Sequence, residues 1–193
     1  MPAEGEILDR GPGDHIVLFY RDDDELAATV SGHLLQILRG NGAVIVLATP
    51  AHQLSFEERL GQAGVDIAAA QVSGRYLALD AAETMRQFMT PSAASAAGWP
   101  DPASFWLAIS PLVRQAVKTG RPVHVFGEMV ALLWDTGMVN AAIEVEAMWN
   151  EMGSQYSFSL LCAYPENSVS EGHYRDAVAE VCRLHTAAIG LQQ

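Results

Sequence analysis

The sequence predicts an α/β fold, a three-layer sandwich in which helices cover both faces of a central, mainly parallel sheet. Short apolar runs alternate along the chain with longer segments whose apolar residues recur at helical spacing, the pattern of parallel sheets. The run Ala43–Ala48 is apolar on both faces, as strands buried between two helical layers are. The 193 residues, half of them hydrophobic and 18% charged, indicate one globular domain with a substantial core.

The individual elements follow from these periodicities. His15–Tyr20 is apolar with β-branched and aromatic members and is predicted to be a strand. The acidic run 22–24 offers a helix N-cap, and helical spacing continues to Leu38. Further strands are expected at 43–48, 75–79, 123–126 and 158–163, and further helices at about 51–62, 80–89, 103–118, 140–152 and 173–189. Pro111 is expected to kink or break its helix, and the proline-rich segment 90–102 is expected to be a loop or lid.

The ends of the chain and its cysteines bear on domain organisation and location. Residues 1–14 are polar and contain several glycines and prolines, so we expect a flexible lead-in before a single domain at 15–193. No apolar stretch reaches the roughly 20 residues that span a bilayer, and the N-terminus does not have the pattern of a signal peptide. Two cysteines do not suggest a disulfide framework. These features favour a cytoplasmic protein.

The charge balance and the missing motifs exclude several classes of function. With 11 basic and 23 acidic residues, the chain has no basic cluster that would bind nucleic acid or an anionic membrane. It contains no G-x-S-x-G, H-E-x-x-H or C-x-x-C motif, so neither an enzyme nor a cofactor is predicted. Cys182 and His185 lie three residues apart, with Cys162 and His173 elsewhere, whereas zinc ligands usually come in tighter pairs from loops. No metal is predicted either.

Ligands of parallel sheets bind beyond the carboxyl ends of the strands, which makes Tyr20, Arg21, Glu128 and Tyr164 candidate ligand-binding residues. A phosphate loop after the first strand would need glycine and lysine. The turn instead holds Arg21 followed by three aspartates and a glutamate, which would repel a triphosphate. ATP binding of the usual kind is therefore not expected, and the aspartates are interpreted mainly as a helix cap.

Aromatic residues are the next candidates for the site. Trp134 and Trp149 either fill the core, which is the more common role, or line a pocket together with Tyr20 and Tyr164. Such a pocket, apolar with a few polar groups, is the usual form of a small-molecule site.

Buried charges complete the candidate site. Glu146 lies on an otherwise apolar stripe of its helix, so its carboxylate needs hydrogen bonds or a shifted pKa. Glu128 either binds neighbouring amides or Arg21, or contacts a ligand. Arg21 needs a carboxylate partner, which is a ligand's or the protein's own. We expect the internal partner, and of the two glutamates we expect Glu146 to pair with Arg21 near the buried sheet edge.

Four segments, "HIVLFYRDDDELAATVSGHLLQILRGNGAVIVLATPAH", "GRYLALDAAETMRQFM", "HVFGEMVALLWDTGMVNAAIEVEAMWNEM" and "FSLLCAYP", resemble the MEDS domain. This is the sensory domain of methanogen and methylotroph regulators, and the similarity runs from about His15 to Ile189. The resemblance implies a RecA/KaiC-like fold that has no phosphate loop. The candidate residues carried over from the resemblance match its motif-rich segments, and they are Tyr20, Arg21, Glu128, Trp134, Glu146 and Trp149.

The family implies a signal-input domain that senses small hydrocarbon derivatives beside a DNA-binding, histidine-kinase or anti-sigma-factor kinase module. The leading hypothesis is therefore a non-catalytic sensory domain that binds a small, largely apolar organic ligand at the carboxyl edge of the sheet. A protein-interaction module in sigma-factor or kinase control is the alternative, and a residual ATPase is the weakest. The sequence leaves open the regulatory partner or fused output module, homodimer formation, and whether the domain stands alone or is excised.

Overall fold

The computed structural model describes residues 11–92, 95–170 and 172–190. It confirms the predicted α/β class, with a six-stranded parallel sheet between two layers of helices. In chain order the elements are β1 (His15–Tyr20), α1 (Asp23–Arg39), β2 (Ala43–Ala48), α2 (Pro50–Gln62), α3 (Ile67–Val72), β3 (Tyr76–Asp80), α4 (Ala81–Arg86), β4 (Met89–Ser92), β5 (Ser95–Pro100), α5 (Pro102–Val117), β6 (Val123–Gly127), α6 (Met129–Asp135), α7 (Val139–Gln155), β7 (Ser159–Pro165), α8 (Glu166–Val169), a 3-10 turn (Gly172–Tyr174), α9 (Arg175–Leu184) and β8 (Ala187–Ile189).

The sheet has the strand order β3-β2-β6-β7-β1-β8, and every neighbouring pair is parallel. Alternate side chains of each strand enter two separate cores. On β1, Ile16 and Leu18 pack with α1 to α3, whereas Val17 and Phe19 pack with α5, α6, α7 and α9. Because all strands run the same way, their carboxyl ends lie together at one edge of the sheet.

The turn between β1 and α1 confirms the helix-cap interpretation of the aspartates. Only Arg21 and Asp22 separate strand from helix, and the Asp22 carboxylate accepts a hydrogen bond of 2.9 Å from the backbone N–H of Glu25. Asp23, Asp24 and Glu25 occupy the first turn, where acidic side chains favour the positive end of the helix dipole. A connection of two residues is too short to surround a phosphate.

Two sequence-based predictions of secondary structure are wrong. The segment expected to be a loop or lid forms an antiparallel hairpin of β4 and β5. The last helix ends at Leu184 and not at Ile189, since Thr186 donates its backbone N–H and its hydroxyl to the carbonyl of His15 and starts β8 beside β1. A three-residue apolar strand has too short a pattern to be distinguished from the end of a helix.

The structure also extends the predicted element list. It adds the short helices α3, α6 and α8, and α5 continues through Pro111 without a break. The predicted flexible lead-in falls mostly on residues 1–10, which lie outside the described residues. No described helix combines the length and the hydropathy that a membrane crossing requires.

Gly190 allows β8 to end against β1. Its φ is +86°, and a Cβ at this position would collide with the carbonyl oxygen of Phe19. We expect Gly190→Ala to lower the free energy of unfolding by at least about 1 kcal/mol, because alanine adds positive-φ strain and a collision with the backbone.

Gly153→Ala in α7 is the matched control, because a Cβ there meets open space. It should be neutral or stabilise the protein by up to about 1 kcal/mol. Urea denaturation of the two variants measures the difference, and equal stabilities would show that the close approach of Gly190 to β1 does not contribute.

Candidate functional site

A cleft of about 370 Å³ opens at the carboxyl edge of the sheet. Its apolar wall includes Tyr20 at the end of β1 and Leu132 on α6. Its polar wall combines residues that follow three different strands with the first turns of α1 and α2 and the end of α6. The charged residues of the cleft are Arg21, Asp22, Asp23, His52, Glu128 and Asp135. Four carboxylates against one guanidinium and one imidazole make this cleft acidic.

Glu128 is held in the wall of the cleft by the ends of two strands. It follows β6, and its backbone N–H donates to the carbonyl of Leu47 at the end of β2 (3.0 Å). Its buried carboxylate accepts hydrogen bonds from the backbone N–H of Thr49 and from Nδ1 of His52, the latter at 2.6 Å. Thr49 is also the N-cap of α2, so the same residue fixes the start of α2 and the position of the Glu128 carboxylate.

His52 connects two carboxylates of the cleft. Its Nδ1 binds Glu128, and its Nε2 lies 3.5 Å from Oδ1 of Asp23. The hydrogen bond that His52 donates to Glu128 raises the pKa of His52 above its ordinary value. Burial opposes this increase, and the charges of Glu128 and Asp23 add to it. The acidic surroundings therefore stabilise the protonated form of this imidazole relative to that of a free histidine. The sequence analysis missed His52, although its position in the first turn after a strand end was a usable signal.

The expected pair of Arg21 with Glu146 is wrong. Arg21 binds Glu25 one helical turn away, with Nε at 3.0 Å from Oε2 and Nη2 at 2.9 Å from Oε1. Its side chain is 66% exposed. The first turn of α1 offers a carboxylate close to Arg21, whereas Glu146 is fully buried in the core.

Glu146 belongs to a second group of polar side chains, which we term the buried cluster: His15, Glu146, Cys162 and His185. Oε2 of Glu146 lies 3.2 Å from both Nε2 of His15 and Sγ of Cys162. Oε1 accepts a hydrogen bond of 2.8 Å from the hydroxyl of Tyr164. His15 begins β1, whereas Cys162 and Tyr164 are alternate residues of β7, so all three lie on the sheet face that α7 covers.

The electrostatics of the buried cluster favour an ionised Glu146. Burial by itself would raise the pKa of Glu146, but attraction by His185 and interactions with His15 and Tyr164 more than offset burial and lower the pKa to about 2. Burial, reinforced by the Glu146 charge, raises the pKa of both Cys162 and Tyr164 well above their usual ranges. Burial lowers the pKa of His185. A carboxylate thus lies among neutral hydrogen-bond donors and imidazoles, as the need for hydrogen bonds predicted.

The two tryptophans contribute to the core. Trp149 packs edge-on against Phe105, with ring centroids 5.2 Å apart, and is 2% exposed. Trp134 is equally buried, contacts Tyr164 edge-on and donates its indole N–H to the carbonyl of Ser168 (3.0 Å).

Of the seven sequence-predicted site residues, the structure brings Tyr20, Arg21 and Glu128 to the cleft. It places Glu146 and Tyr164 together in the interior, and the two indoles beside them in the core.

The different environments of Arg21 and Glu146 predict different effects of their removal. Arg21→Ala should leave the free energy of unfolding almost unchanged, because its ion pair is exposed. Glu146→Ala should lower it by about 3–5 kcal/mol, because a buried network loses its central acceptor. The double variant should show the sum of the two effects.

Guanidinium-chloride denaturation of the three variants tests this, with Glu151→Ala on the exposed side of the same helix as control. A double variant that is much more stable than additivity predicts would mean that Arg21 and Glu146 do interact.

The pair of His52 and Glu128 predicts a pH-dependent stability. The pKa of His52 is raised in the folded state from its ordinary value of 6.5. Its contribution is therefore fully present below pH 6.5 and is lost as the pH rises through the raised folded-state value. His52→Gln keeps a hydrogen-bond donor but does not titrate. The stability advantage of the wild type over this variant should be larger at about pH 5.5 than at about pH 8.5 in urea denaturation. An advantage that grows with pH would contradict the ion pair.

Comparison with known proteins agrees with the fold and gives the family. The crystal structure of an uncharacterized protein from Pyrococcus horikoshii, in complex with an unknown peptide, matches with a TM-score of 0.62 and 12% identity, covering 96% of this chain and 82% of that one. At this identity the match shows a shared fold. No curated protein matches the chain. The family model described as "MEthanogen/methylotroph, DcmR Sensory domain" matches residues 14–186, nearly the whole chain, and the protein therefore belongs to the MEDS family of sensory domains.

Proposed function

We propose that this chain is the signal-input domain of a regulatory system and that it binds a small organic molecule in the carboxyl-edge cleft. The observation that carries the proposal is the hydrogen-bonded pair of Glu128 and His52, held at the ends of β2 and β6 on the wall of an open cleft. Parallel sheets bind their ligands at this edge. Membership of a sensory family supports a signalling role over catalysis.

The lining of the cleft restricts the ligand class. Four carboxylates disfavour anions such as nucleotides, so a residual ATPase is the weakest candidate. Carboxylate oxygens of Glu128 and Asp135 accept hydrogen bonds, and Tyr20 and Leu132 offer apolar contact. A small neutral or cationic hydrocarbon derivative that carries a donor group, such as a short-chain amine or alcohol, fits this combination best.

A larger cleft of about 580 Å³ is the competing location. It lies at the amino ends of the strands, beside Gln36, Pro122 and Ser159. His33 also lines it, and burial followed by the neighbouring His124 lowers the pKa of His33 to about 4. The expectation that ligands bind at carboxyl ends favours the smaller cleft.

Matched tryptophan substitutions distinguish the two clefts. A library of short-chain amines, alcohols and related compounds, with ATP and Mg²⁺ as a contrast, is screened for an increase in Tm. A ligand at 100 times its Kd stabilises the folded state by about 2.7 kcal/mol, which raises Tm by roughly 5–10 °C for a domain of this size. Leu132→Trp should abolish this shift by filling the carboxyl-edge cleft, whereas Gln36→Trp should leave it unchanged.

The opposite pattern would move the site to the amino edge, and no shift with any compound would contradict small-molecule sensing. An increase in Tm with ATP alone would support nucleotide binding. Circular dichroism confirms that each variant is folded before its Tm is compared.

Peptide or protein binding is the second candidate function. It is favoured by the solved neighbour of the same fold, which is described in complex with an unknown peptide. The chain would then act by docking a regulatory partner or a fused output module. Selection of peptides from a displayed library, followed by binding assays with Leu132→Trp and Gln36→Trp, tests this. Saturable peptide binding that small molecules do not compete would favour the interaction module.

A further inference from the structure

The donor atoms of the buried cluster face one another across a small volume. One donor from each of His15, Glu146, Cys162 and His185 lies within 4.8 Å of the others. Nε2 of His15 is 3.4 Å from Sγ of Cys162, and Oε2 of Glu146 is 3.2 Å from each of these two atoms. Nε2 of His185 is 3.5 Å from Oε1 of Glu146. Ligands of a tetrahedral zinc ion, at about 2.0–2.3 Å from the metal, are separated by roughly 3.3–3.7 Å. Nε2 of His15, Sγ of Cys162 and Oε2 of Glu146 have close to this spacing, and the donor of His185 lies within 4.8 Å of the other donors.

Both imidazoles are oriented with a lone pair toward the cluster. Nδ1 of His15 lies 2.9 Å from Oδ1 of Asn150, and Nδ1 of His185 lies 2.6 Å from the carbonyl of Val181. An acceptor at Nδ1 requires a hydrogen there, so the neutral ring has its lone pair on Nε2. Nε2 of His185 is buried and makes no hydrogen bond with any described residue. Metal-binding histidines are held by such Nδ1 bonds.

Asn150 makes this orientation specific. Its amide nitrogen donates to the carbonyl of Leu184 (2.9 Å), which leaves Oδ1 directed at His15. The same side chain thus fixes His15 on β1 and the end of α9, from which His185 follows. Tyr164 acts similarly on Glu146, since its hydroxyl occupies Oε1 and leaves Oε2 toward His15 and Cys162. The hydrogen bonds made by Asn150 and Tyr164 thus orient the donor atoms of His15 and Glu146, and neither side chain lies between the four donor atoms.

The charge of the cluster favours a cation. When both imidazoles are neutral, the fully buried carboxylate faces their lone pairs, and a cation bound between these donors would compensate its charge. A divalent ion bound by the Glu146 carboxylate and a Cys162 thiolate would have no net charge. Binding removes the thiol proton, which is released to solvent. The two imidazole ring centroids are 3.8 Å apart, so the rings must separate slightly to admit the ion.

We propose that His15, Glu146, Cys162 and His185 bind one divalent transition-metal ion of the zinc class. Two nitrogens, one sulfur and one oxygen are a donor set that suits zinc, and four protein ligands make a closed structural site. The ion would connect β1, β7, α7 and the segment after α9. The ligands come from four separate segments, so their sequence spacing does not resemble a zinc motif. The metal site does not depend on the ligand at the carboxyl-edge cleft.

Zinc content and cobalt spectroscopy test the site. Protein purified without chelators should contain about one zinc ion per chain, and a chelator should lower Tm until Zn²⁺ is restored. Replacement by Co²⁺ should produce a thiolate-to-cobalt charge-transfer band and the intense visible absorption of tetrahedral Co²⁺.

The two cysteines provide a matched pair of variants. Cys162→Ser should lose the charge-transfer band and bind Co²⁺ at least about tenfold more weakly. Cys182→Ser, on α9 and outside the cluster, should behave as the wild type. The Cys182→Ser variant retains Cys162 as its single cysteine. A charge-transfer band in this variant therefore identifies Cys162 as the sulfur ligand, even if Cys162→Ser does not fold. The proposal would be overturned if Co²⁺ added to metal-free wild type produced no saturable charge-transfer band. Loss of this band in Cys182→Ser would overturn it too.

Discussion

The core between the sheet and helices α5, α6, α7 and α9 depends on the buried carboxylate of Glu146. This carboxylate accepts from Tyr164 and Cys162 on β7, contacts His15 on β1, and faces His185 just after α9. The cost of burying an unpaired charge is several kilocalories per mole, so these contacts must form together with the packing of α7 on the sheet. Asn150 on the same helix adds the end of α9 to this arrangement. The geometry of one charged group therefore sets the mutual positions of four elements.

The carboxyl edge is organised by a weaker, more exposed set of charges. Glu128 binds the start of α2 through Thr49 and His52, whereas Arg21 is engaged by Glu25 within its own turn. At the first turn, where a phosphate loop would need glycine and lysine, the chain has a capped helix start with acidic residues. The cleft at this edge of the sheet is lined by four carboxylates, which disfavour phosphates there.

The candidate site was only partly predictable from sequence. The end-of-strand rule identified Tyr20, Arg21 and Glu128 because the direction of parallel strands alone brings these residues to one edge. It could not identify the partner of Arg21, since exposed side chains bind whichever carboxylate is nearest after folding. His52 escaped notice because a histidine in the first turn of a helix has many ordinary roles.

Local sequence determined the strand and helix periodicities, the acidic N-cap of α1, the absence of a phosphate loop and the burial of Glu146 on an apolar stripe. These properties depend on residues close together in the chain, where spacing and residue type are sufficient. Only the tertiary structure decided that β8 pairs with β1, that the tryptophans fill the core, and that His15, Glu146, Cys162 and His185 meet. The physical reason is that these contacts join different elements, either far apart in the chain, as His15 and Cys162 with a separation of 147, or nearer, as Glu146 and Cys162 with a separation of 16. Their approach is set by the strand order of the sheet and by the packing of helices on it.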